Sequence, residues 1–251
     1  MLKAGLKVYS INIDFIKDAI SLYEKGLYQY IELYAFPHTY EKYIVPWKSL
    51  DIPFIIHAPH FSDGINLSRK EKEKDNLALA KDAIKFADAL KGSLIIFHPG
   101  VEGQIEETAR QLNIINDKRI VIENKPYYSN DEVSVCTGYS PEDINFVMNE
   151  AKTGFCLDFG HCICAANALH IDPLKYTDEF MKLKPAIFHL TDGDFTGVYD
   201  IHNHLGNGSY PLKKLISRIP SNSILTLETP KDSLKSLDDF PGDIYYLRNL
   251  L

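Results

Sequence analysis

No stretch of this sequence stays apolar for the ~20 residues that a membrane-crossing helix requires, which excludes a helical membrane protein. The opening residues, MLKAGLKVYSINIDF, lack the long apolar segment of a secretory leader, so a cytoplasmic location with no membrane partner is expected. Cysteine is scarce. The four present are Cys136, Cys156, Cys162 and Cys164, none forms a Cys-x-x-Cys pair, and reduced thiols are expected rather than disulfides. That spacing disfavours a zinc–thiolate site, and Cys156, inside an apolar run, reads as a core residue. Basic residues are outnumbered, 27 Lys and Arg against 34 Asp and Glu. The net charge of -7 argues against a broad nucleic-acid footprint, although bound metal ions would offset carboxylates gathered in a site. No linker or low-complexity segment divides the chain.

Eight short apolar and β-branched runs recur, at 4–9, 29–34, 53–57, 93–98, 119–123, 154–158, 186–190 and 223–228. Runs of this length suit strands buried on both faces, as in a parallel sheet. The segments between them have helical character. Residues 13–24 carry helical spacing. Over 69–90, Ser68 and Glu71 form a capping box and Leu77, Ala80, Ile84 and Ala87 a stripe. Ser140-Pro141-Glu142 supplies an N-cap, an N1 proline and an acidic first turn. The charged run 70–76 reads as a solvated helix face. Alternation of this kind over 251 residues predicts one α/β domain, residues 1–251, folded as a (β/α)8 TIM barrel.

From the third run onward, every strand end carries a metal-ligating side chain. The motifs are HAPHFS, FHPG, IEN, CLDFGH, FHLTDG, YDIHNHLGNG and LETP. They present His60 (with His57 its neighbouring alternative), His98, Glu123, Asp158, His161, His189, Asp200, His202 and Glu228. Each alone has an ordinary reading as a hydrogen-bonded core histidine or a salt-bridged carboxylate, Glu123 with Lys125 for instance. Nine together at one end of a barrel point to a metal site. Mixed imidazole and carboxylate donors suit zinc, manganese or iron, and nine ligands exceed what one ion needs. Several ions a few ångströms apart are the usual device for phosphoester hydrolysis.

In order and content these motifs, over roughly residues 53–230, resemble those of endonuclease IV, the apurinic/apyrimidinic endonuclease within the xylose-isomerase-like TIM-barrel superfamily. Asp200-Ile201-His202 with Gly206-Asn207-Gly208, and Cys156 to His161, are the most specific parts. The resemblance implies a three-zinc cluster held by the nine residues above, hydroxide bridging the metals as the nucleophile at phosphorus, Glu123 bridging or orienting it, and abasic DNA as substrate. It places Glu123, Asp158 and Glu228 in the chemistry and Lys125, Tyr127 and His57 against the substrate. The sequence departs from that family where the family grips DNA. Lys7 of Gly5-Leu6-Lys7 stands in a histidine's place, and Tyr34 to Tyr40 replaces a polar loop. Phe61-Ser62-Asp63-Gly64 stands where an aromatic wedge would be, and Lys125-Pro126-Tyr127-Tyr128 replaces small residues.

Two alternatives stay open. A sugar isomerase or epimerase of the same superfamily would use one ion on Glu123, Asp158, His189 and Glu228, with the two glutamates moving a proton beside a carbonyl. A non-catalytic barrel binding a phosphorylated small molecule leaves the ligand set unexplained. Tyr34, Tyr40, Tyr127, Tyr128, Tyr139 and Tyr199 fall in loops near the expected mouth, where they would stack on a base or sugar or pack the rim. Asp192 and Asp194 read as partners that orient imidazoles or as turn residues. No protein partner is implied.

Overall fold

A computed structural model describes residues 2–251. Eight parallel strands close into a barrel in which each pairs with the next in sequence and the last with the first. They are β1 (Lys3–Tyr9), β2 (Tyr30–Tyr34), β3 (Phe54–His57), β4 (Ile95–Phe97), β5 (Ile120–Glu123), β6 (Gly154–Asp158), β7 (Ile187–Leu190) and β8 (Ile224–Leu227). All eight expected runs are strands. Helices α1 (Ile16–Glu24), α2 (Tyr40–Lys48), α3 (Glu73–Ala89), α4 (Ile105–Ile115) and α5 (Pro141–Ala151) follow the first five strands in turn. Two helices, α6 (Phe159–Ala168) and α7 (Pro173–Met181), separate β6 from β7, while α8 (Leu212–Ile216) and α9 (Phe240–Leu250) follow β7 and β8. Among the described residues, no helix is long and apolar enough to cross a membrane.

Two local expectations are corrected. Ser68 does not cap α3. Its hydroxyl donates to Asn66 Oδ1 at 2.7 Å, and α3 begins at Glu73 after a short 3-10 turn, Lys70–Lys72. The buried stripe of α3 is then Asn76, Leu79, Ala80, Ala83, Phe86 and Ala87, with Leu77 and Ile84 only half-buried. The N-cap at Ser140 stands, its hydroxyl accepting from the Asp143 amide at 3.1 Å. An unexpected antiparallel ribbon, Gly100–Val101 against Cys136–Thr137, ties the β4 and β5 loops together above the mouth.

Period-two alternation along each strand divides the side chains between the barrel interior and the surrounding helices. Tyr30, Ile55, Ile96, Val121, Cys156 and Ile187 form a separate apolar cluster, the plug inside the barrel. Two residues further along each of these strands, the inward position is Glu32, His57, His98, Glu123, Asp158 or His189. The plug therefore positions the site by parity alone. Gly5 is what admits Tyr30 to it, because a Cβ there would lie 2.3 Å from the Tyr30 ring. Gly5→Ala should cost about 1–3 kcal/mol by overpacking and lower Tm by roughly 5 °C. A thermal melt unchanged within about 1 °C would contradict this account of the plug.

Candidate metal centre

Each of the eight strands brings one ionisable side chain to the layer above the plug: Lys7, Glu32, His57, His98, Glu123, Asp158, His189 and Glu228. The barrel stagger sets where along each strand that layer falls. Lys7 pairs with Glu32 across β1 and β2, but His57 pairs with Tyr34, two residues beyond Glu32. The layer therefore comes two residues before the ends of β1 and β2, and one residue past the ends of β4 and β8. Three further groups enter from loops and α6. Asp158 caps α6, its Oδ1 accepting from the His161 amide at 2.6 Å, and this turns His161 into the mouth. Asp200 and His202 arrive on the β7 loop, with Oδ2 of Asp200 at 2.7 Å from His202 Nε2 and 3.4 Å from His161 Nε2.

Glu123 is the hub. Its Oε2 lies 3.0 Å from His98 Nε2, 3.3 Å from His57 Nε2 and 3.5 Å from His189 Nδ1, and its Oε1 lies 3.2 Å from His161 Nδ1. Among the described residues, ligand atoms gather into three groups that share it: His57, His98 and Glu123; Glu123, Asp158, His189 and Glu228; and Glu123 and His189 with the Cys156 thiol. Backbone and carboxylate partners orient the rings from behind. Nδ1 of His57 donates to the Ala58 carbonyl at 2.7 Å and Nδ1 of His161 to the Asn124 carbonyl at 2.8 Å. In the neutral rings this turns the Nε2 lone pairs toward Glu123 and Asp200. Nε2 of His189 donates to Glu32 at 2.9 Å, and Glu32 also accepts from Thr226 at 2.6 Å, which in turn accepts from Tyr30 at 2.8 Å. This chain leaves Nδ1 of His189 facing Glu123, Asp158 and Glu228. Such backing is characteristic of metal-ligating histidines. Asn124 locks β5 to β6 through a reciprocal pair with the Asp158 backbone at 2.8 and 3.0 Å.

The electrostatics call for cations. Five carboxylates, Glu32, Glu123, Asp158, Asp200 and Glu228, converge with two ammonium groups, Lys7 and Lys125, and three imidazoles, His161, His189 and His202, whose pKa values burial would lower but the carboxylates raise; Lys7 is bound to Glu228 and lies 3.3 Å from Glu32. Burying unpaired carboxylates is costly, yet Asp200 Oδ1 is buried without a hydrogen-bond partner among the described residues, and Glu123 Oε1, His98 Nε2 and His189 Nδ1 face only the other members of the cluster, at 3.2, 3.0 and 2.6 Å. Burial would lift the Glu123 carboxyl, but His98 and His189 hold it well below the usual range. Burial raises Asp158 to about 6 against the pull of His161. Burial opposes charge on His202, yet Asp200 lifts it to about 9. Burial, with Lys125 adding to it, pushes His98 well below its ordinary value. Convergent donors, a buried unpartnered Asp200 oxygen and rings oriented from behind all fit divalent metal.

The structure separates some of the expected residues. His98, Glu123, Asp158, His189 and Glu228 enter the first two of these groups, with His161, Asp200 and His202 alongside. His60 does not. It is half-buried, its Nδ1 engaged by the Ser62 hydroxyl at 2.8 Å, its Nε2 4.0 Å from Asp63, and its ring stacked on His98 at 5.9 Å. His57, expected against substrate, takes the place beside His98 and Glu123. Tyr127 packs at 4.8 Å on both Tyr128 and Tyr139 and is not among the cavity-lining residues. Lys125 does not pair with Glu123; its ammonium lies 3.4 Å from His98 Nδ1. Cys156 belongs to the plug, and all four cysteines are free, buried thiols. Lys7 and Glu32 were missed as members of the layer. The signal available was parity: each lies two residues beyond an inward plug position, Gly5 and Tyr30, within its own strand.

The family model described as xylose isomerase-like TIM barrel matches residues 47–250. A probable endonuclease 4 of Mycoplasmopsis pulmonis is 29% identical over 219 residues, covering 77% of this chain and 76% of its own. Endonuclease IV from Thermus thermophilus superposes with a TM-score of 0.74 at 19% identity, covering 99% of this chain and 98% of its own. A D-tagatose 3-epimerase-like protein superposes at 0.70 and 17% identity, covering 98% and 96%. The protein IolI, solved with a zinc atom, superposes at 0.69 and 15% identity, covering 99% and 96%. The closed barrel and the match over most of its length agree: the chain belongs to the xylose isomerase-like TIM barrel family.

Proposed function

We propose that the protein is a metal-dependent phosphoester hydrolase with more than one ion in the barrel mouth. The observation that carries this reading is the shared hub, Glu123, which joins the group with His57 and His98 to the group with Asp158, His189 and Glu228. One ion would be held by His57, His98 and Glu123, a second by Glu123, Asp158, His189 and Glu228, and a third by His161, Asp200 and His202. Imidazole and carboxylate donors suit zinc, with manganese as the alternative. Bound divalent ions supply a nucleophile at neutral pH and offset charge on the attacking and leaving oxygens. The chain's own residues prepare that chemistry. Glu32 and Asn124 fix the rings of His189 and His161, and Glu123 joins the groups. The plug beneath closes the barrel interior below the mouth. The Mycoplasmopsis and Thermus endonucleases support the reaction class, and abasic DNA is the substrate that the resemblance of the motifs implies.

A second reading is favoured by one observation: Glu123, Asp158, His189 and Glu228 form a complete four-ligand group. That set suits a single-ion sugar isomerase or epimerase, and the D-tagatose 3-epimerase-like neighbour supports it. This reading leaves His57, His98, His161, Asp200 and His202 converging without a role. Elemental analysis of protein purified without chelator separates the two. About two or three zinc ions per chain, with hydrolysis of aryl phosphodiesters, is the expected result. One ion per chain with turnover of ketoses would replace it by the isomerase reading.

A further inference from the structure

The cavity above the metal centre, about 1020 Å³ in volume, is lined by three lysines, Lys7, Lys125 and Lys231. Two are committed. Lys7 is bound to Glu228 and lies 3.3 Å from Glu32. Lys231 donates to the Thr229 carbonyl at 2.7 Å and the Pro230 carbonyl at 3.4 Å. Lys125 is different. Its side chain is folded into the mouth, 8% exposed, and among the described residues its ammonium has only His98 Nδ1, at 3.4 Å, as a partner. Its backbone is fixed, the amide donating to the Gly138 carbonyl at 3.0 Å beneath the ribbon that ties the β4 and β5 loops. A buried ammonium without a carboxylate is costly and is completed by an anion, most strongly by an oxyanion accepting charge-assisted hydrogen bonds.

The rim speaks to the size of that anion. Apart from His202, the exposed lining residues are apolar (Tyr9, Ile11 and Leu234), neutral (Ser62 and Asn130) or acidic (Asp131). Among the described residues, no exposed lysine or arginine lines the cavity. A polymer crossing this mouth would lay successive phosphates on apolar and acidic side chains, whereas polyanion affinity comes from neutralising several phosphates at once. The lysine charge lies within the cavity, and the one cationic group at the rim, the His202 imidazole, is already paired with Asp200 at 2.7 Å.

We infer that Lys125 forms an anion subsite beside the metal centre and that the substrate is a small organic phosphate held within the cavity, not a nucleic-acid duplex. This rests on the phosphoester reading only for the reaction that follows binding. The probe is inorganic phosphate, titrated calorimetrically into the metal-loaded protein. Lys125→Met should weaken phosphate binding at least about tenfold, as expected for loss of a charge-assisted hydrogen bond, with metal content unchanged. Lys125→Arg should recover most of the affinity, and Lys125→Gln serves should the methionine variant fold poorly. Equal phosphate affinity in wild type and both neutral variants overturns the subsite, as does a wild type that binds no phosphate. Loss of phosphate binding in the neutral variants of a protein that hydrolyses no phosphoester leaves the subsite standing and removes only the hydrolase reading. For substrate size, a sugar phosphate should displace inorganic phosphate with a weak salt dependence. Binding of an abasic duplex with a log–log salt slope of about -4 or steeper, the signature of several phosphate contacts, would overturn the small-substrate class.

Discussion

Glu123→Gln should lower kcat/KM for phosphoester hydrolysis by about 10³-fold or more, equivalent to roughly 4 kcal/mol of transition-state stabilisation, and should reduce the bound metal by at least one ion. Glutamine keeps the shape of the side chain and one carbonyl oxygen. It loses the charge and the second donor atom, and Glu123 is the residue that uses both: Oε2 faces His57, His98 and His189 while Oε1 faces His161. Every ligand group that shares Glu123 loses a member at once. The fold should survive, because the side chain stands above the apolar plug and not within it, so far-UV circular dichroism should match wild type. Two histidine variants sharpen the test. His57→Ala should behave like Glu123→Gln, since His57 belongs to the first group, whereas His60→Ala should change the rate by no more than about threefold. A wild-type rate in Glu123→Gln would remove the hub from the mechanism. A severe loss in His60→Ala with none in His57→Ala would restore the assignment suggested by the order of the motifs.

That contrast shows where the sequence is informative. The eight strands are legible because a strand buried on both faces must be an almost continuous apolar run, and β3, β5 and β7 are buried throughout. The direction of the site is legible because an ionisable residue ending such a run sits where burial must be offset by a partner or a cation. The membership of the layer was harder to read. His57 and His60 are three apart in one motif, and nothing local says which one the barrel closes upon. The stagger decides, by pairing His57 with Ile96 and leaving His60 in the loop. Glu32 was hidden for the same reason, lying inside a strand and not at its end. Its value as a partner for His189 depends on a contact 157 residues away in sequence. The capping signal at Ser68 goes unused because its hydroxyl is drawn to Asn66 and the Val101 carbonyl, and α3 starts at Glu73. A long-range contact overrode the local capping signal.

The second large effect is expected at Asp192, whose side chain bonds to backbone amides and not to the candidate ligands. Its carboxylate is 1% exposed and accepts four backbone N–H groups. Oδ1 takes Gly193 at 2.9 Å and Tyr210 at 3.0 Å, and Oδ2 takes Gly206 at 2.9 Å and Gly208 at 3.1 Å. The β7 loop folds around this one side chain, and that loop delivers Asp200 and His202 to the mouth. The glycines of the Leu205-Gly206-Asn207-Gly208 signature follow from the same geometry. Gly206 has φ +90°, and a Cβ on Gly208 would sit 2.4 Å from Asp192 Oδ1. Hydrogen bonds to a charged group contribute about 1.5–3 kcal/mol each. Asp192→Ala, with water recovering part of the loss, should therefore cost on the order of 4 kcal/mol and lower Tm by about 10 °C. Asp192→Asn should fall between, because its amide nitrogen would face two N–H donors. The accompanying loss of activity should track loss of the ion assigned to His161, Asp200 and His202 while the two groups around Glu123 stay filled. Amide exchange across residues 193–210 should quicken before the rest of the barrel does. An Asp192→Ala protein with unchanged melting, exchange and metal content would mean that the loop holds its shape without this carboxylate. Asp200 and His202 would then owe their position to the mouth they face and not to the turn beneath them.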